Sequence, residues 1–239
     1  MSDLKIYRIA GVCSLASIAA FFIEFPFYLV RGSFPPVSNA VWQIEFAARN
    51  ATNIMTCILL DLVILTLIMV FAAGFRHLIR QADPRHEWLA TLFFGVVLVY
   101  VILTLVADSL QGATAIDALT PPANGIVIRA MFESMLLMYG SIALWLMALF
   151  MALAGYATLA TGALPKWSGW VAYLCALTCL AFVPSMFVHH VDLLGFYNPA
   201  GLGPEAFASG FPLATWMVVA GILMLRKRGP IAQATPASD

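Results

Sequence analysis

Residues 50–75 read NATNIMTCILLDLVILTLIMVFAAGF, with Asp61 as the single charged side chain. A helix rises 1.5 Å per residue, so a run of this length reaches about 39 Å, more than the roughly 30 Å of a bilayer's hydrocarbon core. A membrane strand would alternate polar and apolar residues. The Leu62–Val63–Ile64–Leu65 run does not. The stretch therefore reads as a membrane-spanning helix, which satisfies its own backbone in lipid.

Five more apolar stretches share that character, at about 7–30, 89–110, 129–158, 167–188 and 206–225. Hydrophobic residues make up 62% of the 239, and charged residues 10%, against about 25% charged in an average soluble domain. These features predict an all-α bundle of six transmembrane helices over 1–228, followed by a disordered polar tail over 229–239. The lipid bilayer is the first expected partner. A formal net charge of zero gives no reason to expect nucleic acid.

Basic residues set the expected orientation. Lys5, Arg8, Arg76, Arg80, Arg85, Lys166, Arg226, Lys227 and Arg228 flank the spans on one side, whereas Arg31, Arg49 and Arg129 lie on the other. Both termini are accordingly expected in the cytoplasm. The outer connections, 31–49, 109–128 and 189–205, are the longer ones and are rich in proline. Ser38 is the expected cap of a short separate helix running through Trp42, Ile44 and Phe46. Tyr7, Trp42, Trp88, Trp167 and Trp170 fall near expected span ends, as an interfacial aromatic belt does.

Acidic groups inside spans carry most of the functional information. A charge at the bilayer centre costs about 2.5–3.5 kcal/mol on insertion scales, so such groups turn inward and pair or work. Asn50, Asn53, Cys57 and Asp61 recur at three- and four-residue spacings, which forms a polar stripe on one helix face. Asp61 is expected to lie deepest. Glu24 lies beside Pro26 in the first span, and Ser14, Ser17 and Tyr28 follow its face. Tyr100, Thr104 and Asp108 share a face of the third span. Arg129 and Glu133 are spaced to pair on one helix. His189, His190 and Asp192 close the fifth span as titratable groups with metal-ligand chemistry.

Other features read more simply. Cys13, Cys57, Cys175 and Cys179 all fall within spans and lack the CxxC spacing of a thiolate metal site, so they read as packing residues. Dinucleotide, Walker, HExxH and GxSxG signatures are absent.

The Tyr7–Arg8–Ile9–Ala10–Gly11 opening resembles that of the bacterial DUF4386-type membrane proteins. So do the Ala163–Leu164–Pro165–Lys166–Trp167–Ser168–Gly169–Trp170 turn and the Ile222–Leu223–Met224–Leu225–Arg226–Lys227–Arg228 ending. The resemblance implies a multi-pass protein of the bacterial inner membrane and supplies no reaction and no cofactor.

The resulting expectation is an outward-opening pocket built from Glu24, Asn53, Asp61, Asp108, Glu133 and His189 that binds or moves a small molecule or cation. One alternative is an intramembrane enzyme acting on a lipid-like or isoprenoid substrate. Asp61 or His189 would then be the acid or base, or a metal would sit among His189, His190 and Asp192. Another is an accessory subunit of a complex or oligomer, with the Ala148, Ala152 and Gly155 stripe as its contact face.

Overall fold

The computed structural model describes residues 2–32, 35, 39–120, 122–187, 197 and 208–227. Among the described residues seven α-helices form: α1 (Asp3–Arg31), α2 (Ala40–Ala82), α3 (Glu87–Leu119), α4 (Gly125–Leu137), α5 (Ala143–Thr161), α6 (Lys166–Phe182) and α7 (Phe211–Arg226). A π-helical segment, Met138–Ile142, joins α4 to α5, and a 3-10 turn, Val183–Phe187, follows α6. Because α4 and α5 run on through the π segment, the described residues hold six helical units long and apolar enough to cross a bilayer. No strand occurs among them. This is the build of a multi-pass membrane protein.

Two connections expected as outer loops are largely helical. Residues 40–49 are the opening turns of α2, and α3 continues to Leu119. Hydropathy reports which residues suit lipid, whereas helicity needs only the absence of a breaker, and no proline occurs between 40 and 82. Asn39 caps α2 by accepting from the Trp42 N–H at 3.1 Å. Ser38, the expected cap, lies outside the described residues, and the expected separate short helix is part of α2. Asn124 caps α4 through the amides of Ile126 and Val127. Asp117 steadies that turn by accepting from the Asn124 N–H at 3.0 Å.

The turn between α2 and α3 is held by Asp83. Its carboxylate accepts from the Arg85 side chain and amide and contacts His86. The Arg85 side chain, above all, holds the Asp83 carboxyl down at about 2. A lowered value means that the contribution of this pairing is present at neutral pH and is lost only as the pH falls towards about 2. Gly162, at φ 63°, ends α5 in the left-handed conformation that glycine adopts without a Cβ penalty.

Small residues bring the helices close. α1 packs along both α2 and α7, α2 along α3, and α5 along α6. A Cβ placed on Gly74 would collide with the Cβ of Ala10, so α1 and α2 touch nearly backbone to backbone. Gly11 and Gly221 form a similar seam between α1 and α7, where the Ser14 Oγ donates to the Met217 carbonyl at 2.6 Å. Gly155 meets Gly169 across α5 and α6. Of the small-residue stripe, Ala148 and Gly155 are buried within the chain and Ala152 is half-buried.

Aromatic packing fills one end of the bundle. The Trp216 ring lies 5.4 Å from that of Phe71 and 5.5 Å from that of Phe75, with Phe93 and Phe150 at 6.3 Å. Tyr7, whose sequence position suggested the interfacial belt, is instead buried beside His77 and Lys227. Trp42, Trp88, Trp167 and Trp170 are exposed, as such a belt requires.

Gly74→Ala is expected to force α1 and α2 apart and to cost about 1–3 kcal/mol, in the range of overpacked cores. Thermal unfolding in detergent measures it. A Cβ at Gly95 meets nothing within 4 Å. Gly95→Ala is therefore expected to be neutral or to stabilise by up to about 1 kcal/mol.

Candidate functional site

The antiparallel α2–α3 hairpin sets the register of the site. Asp61 stands as far before Ala82, the last residue of α2, as Asp108 stands after Glu87, the first of α3. The two carboxyls therefore lie at the same height on neighbouring helices. The close Gly74–Ala10 contact fixes α1 against α2, and it brings Glu24 to that height as well. Asp61 comes within hydrogen-bonding reach of Glu24 on one side and of Asp108 on the other. Asp61 is thus not deeper than its neighbours, as expected from the apolar windows, but level with them. The windows were centred on lipid-like sequence, and α2 extends well past its window at the N-terminal end.

Tyrosines close both ends of this row. The Tyr28 hydroxyl, one turn after Glu24 on α1, donates to the Glu24 Oε1 at 2.6 Å. The Tyr139 hydroxyl, from the π segment, donates to the Asp108 Oδ1. In order stand Tyr28, Glu24, Asp61, Asp108 and Tyr139, drawn from three helices and the π segment, with hydrogen bonds at both tyrosine ends and Asp61 between the two outer carboxyls. Glu24 is 1% exposed and Asp108 2%. The Cys57 thiol, one turn before Asp61, lies within reach of Glu24.

A cation accompanies the row. Arg31 is buried at the end of α1, with its guanidinium 4.7 Å from the centre of the Tyr28 ring. It interacts electrostatically with Glu24, Asp61 and Tyr139. The Asp108 Oδ2 is buried and accepts from no N–H or hydroxyl donor among the described residues, and the Gln111 Nε2, one turn further along α3, is likewise buried without an acceptor among them.

Hydrogen-bond chemistry limits what the row can be. An ionised carboxylate accepts and cannot donate, so contact between two carboxyls is favourable only when one holds a proton. Two such contacts in series make a path along which protons can be held and passed. Were all three groups ionised, the charge of Arg31 would fall short of balancing them in an apolar bundle.

The remaining candidates are distributed differently. Asn53 is half-buried on the same α2 stripe, further towards the N-terminal end of the helix than Asp61. Asn50 donates from its side chain to the Phe46 carbonyl at 3.0 Å, within its own helix. Glu133 is not part of the row. It is exposed on α4 and accepts from the Arg129 Nε at 2.8 Å, which satisfies it locally. His189, His190 and Asp192 lie outside the described residues. Among the described residues, no group of three His, Cys, Asp or Glu side chains is arranged to hold a metal ion. The four cysteines are free.

Sequence reasoning missed Tyr139 and gave Arg31 no part in the site. Arg31 was legible in principle, because it follows Glu24 by about two helical turns and so returns to the same face. Tyr139 had only the adjacent Gly140–Ser141 pair in an otherwise apolar run as its signal.

Comparison with known proteins finds no family model, no curated protein and no solved structure that matches this chain.

Tyr139→Phe removes the donor to a buried carboxylate and is expected to cost about 1.5–3 kcal/mol of stability. Glu133→Gln breaks only an exposed pair and is expected to cost under about 1 kcal/mol. Unfolding of the two variants side by side in the same detergent checks the difference.

Proposed function

We propose that this membrane protein binds a cation, or a small molecule bearing a positive charge, along the Glu24–Asp61–Asp108 row in exchange for protons, and that the exchange carries the cation and protons across the bilayer in opposite directions. One observation carries the reading: three carboxyls from three separate helices meet at one height, Glu24 and Asp108 buried and Asp61 half-buried, with Arg31 acting on them electrostatically. Such a cluster is costly to maintain as packing alone, where interhelical hydrogen bonds contribute only about 0.6 kcal/mol each on average. Intramembrane acids that face one another are the usual parts of ion and proton pathways.

The position of the row supports access from one side. On α3, Asp108 lies nearer to Leu119 than to Glu87. On α1, Glu24 lies nearer to Arg31 than to Asp3. Both are closer to the end that carries the α1–α2 and α3–α4 connections, the side expected to be outer from the distribution of basic residues. The row is drawn out in a line, which favours an occupant held by successive carboxyls and aromatic faces over a compact metal centre. In this reading Asp61 is the central proton acceptor, Glu24 and Asp108 exchange protons with it, and Arg31 is the resident countercharge.

Proteoliposomes loaded with a pH-sensitive dye test the reading. Sodium, potassium and tetraethylammonium chloride, added separately, are the probes. At least one is expected to drive proton movement above that of protein-free vesicles. The movement should be lost in Asp61→Asn and kept in Glu133→Gln. Equal rates in the wild type, Asp61→Asn and empty vesicles for all three salts would overturn it.

A further inference from the structure

Met138–Ile142 interrupts a crossing unit that otherwise runs as α-helix from Gly125 to Thr161. Gly140 has φ −80° and ψ −116°, outside the helical range, so the regular ladder is broken there. The neighbouring N–H groups divide their bonds. That of Met138 reaches both Met135 and Ser134, and that of Ala143 reaches both Gly140 and Met138. π segments of this kind hold one residue more than the α-helix around them, and sharp helix kinks commonly sit at them.

The two residues beside Gly140 have unlike fates. The Tyr139 hydroxyl ends the carboxyl row on Asp108. The Ser141 Oγ is buried and has no hydrogen-bond partner among the described residues. The 3-10 turn Val183–Phe187 packs against the π segment, and its Ser185 Oγ is likewise buried without a partner among them. Buried hydroxyls are nearly always paired, so each orphan calls for an explanation. Two orphans at one junction are explained together if their partners are met in a second arrangement of that junction.

We infer that the π segment is a hinge for the carboxyl row. In the closed arrangement Tyr139 bonds Asp108; in the open one, the segment relaxes by one residue towards α-helix and carries Tyr139 away. A shift of one residue turns a helical side chain by about 100° about the axis, enough to break that bond. The open arrangement frees both Asp108 oxygens for a proton or cation and re-aims Ser141 towards new partners. The trigger is the charge on Asp108, since a carboxylate holds the phenol more strongly than a neutral acid does. The titratable and charged groups around that bond are Asp61 on α2, Glu24, Tyr28 and Arg31 on α1, and Tyr100 on α3. The inference rests on the carboxyl row being the working site, and it adds the moving part.

Distance measurement on the full chain in lipid nanodiscs tests the hinge. Spin labels carried on p-acetylphenylalanine at Ile126 and Leu174, both exposed, report α4 against α6 without touching the native cysteines. Wild type is expected to show a major and a minor distance. Tyr139→Phe cuts the bond at one end, and Asp108→Asn removes the charge at the other. Each is expected to raise the ratio of minor to major by at least about tenfold, the effect of losing one charge-assisted bond. Agreement between the two variants separates hinge release from misfolding, because they alter different elements and share only the bond. One unchanged distance distribution in wild type and both variants would overturn the hinge, and so would a shift in one variant alone. Salt-driven proton movement reads the exchange function independently, so loss of the hinge and loss of the function are told apart.

Discussion

A carboxyl group inside an apolar bundle must hold a proton, meet a cation, or be met by enough donors to offset its lost hydration. The interior of this protein is organised around that requirement. Asp61 lies mid-way along α2, and α1 and α3 deliver Glu24 and Asp108 to its level. Tyr28, Tyr139 and Arg31 then complete the ends of the row. Remove the convergence, and each acid becomes an isolated buried charge.

The convergence is itself a product of packing. Lipid offers helices no hydrophobic reason to associate, so close van der Waals contact and buried polar groups must do it. Gly74 against Ala10 sets the register of α1 on α2, and Gly11 against Gly221 sets α7 on α1. The Asp83–Arg85 turn fixes where α3 begins, and hence where Asp108 lies. Small residues and one turn thus determine the geometry of a site that contains none of them. Gly155 on Gly169 performs the same service for α5 and α6.

The helical bundle was legible from hydropathy, because six apolar runs without alternation suit helices in lipid and little else. Helix ends were not, because α2 and α3 extend into sequence that is merely polar and free of breakers. Glu24, Asp61 and Asp108 were legible as candidates together with Asn53, Glu133 and His189, since polar groups inside apolar runs are few and stand out. Their contact needed one more step: Asp61 and Asp108 are equidistant from the α2–α3 turn, and that symmetry was available in the residue numbers. Glu133 falls outside the row because depth along a helix says nothing about which face a side chain takes, and Arg129 sits one turn away to satisfy it there. Tyr139 was missed because its role depends on a helical irregularity that no periodicity announces.

The central claim is that the three acids form one proton-sharing unit. Infrared difference spectroscopy of the full chain in lipid, at neutral pH and with hydrogen–deuterium exchange, measures it most directly. The account predicts a carbonyl band from a protonated carboxyl that shifts on deuteration. It further predicts that Asp61→Asn changes the bands of the remaining acids as well as removing its own. Absence of any protonated carboxyl band, or bands for Glu24 and Asp108 that are indifferent to Asp61→Asn, would contradict it.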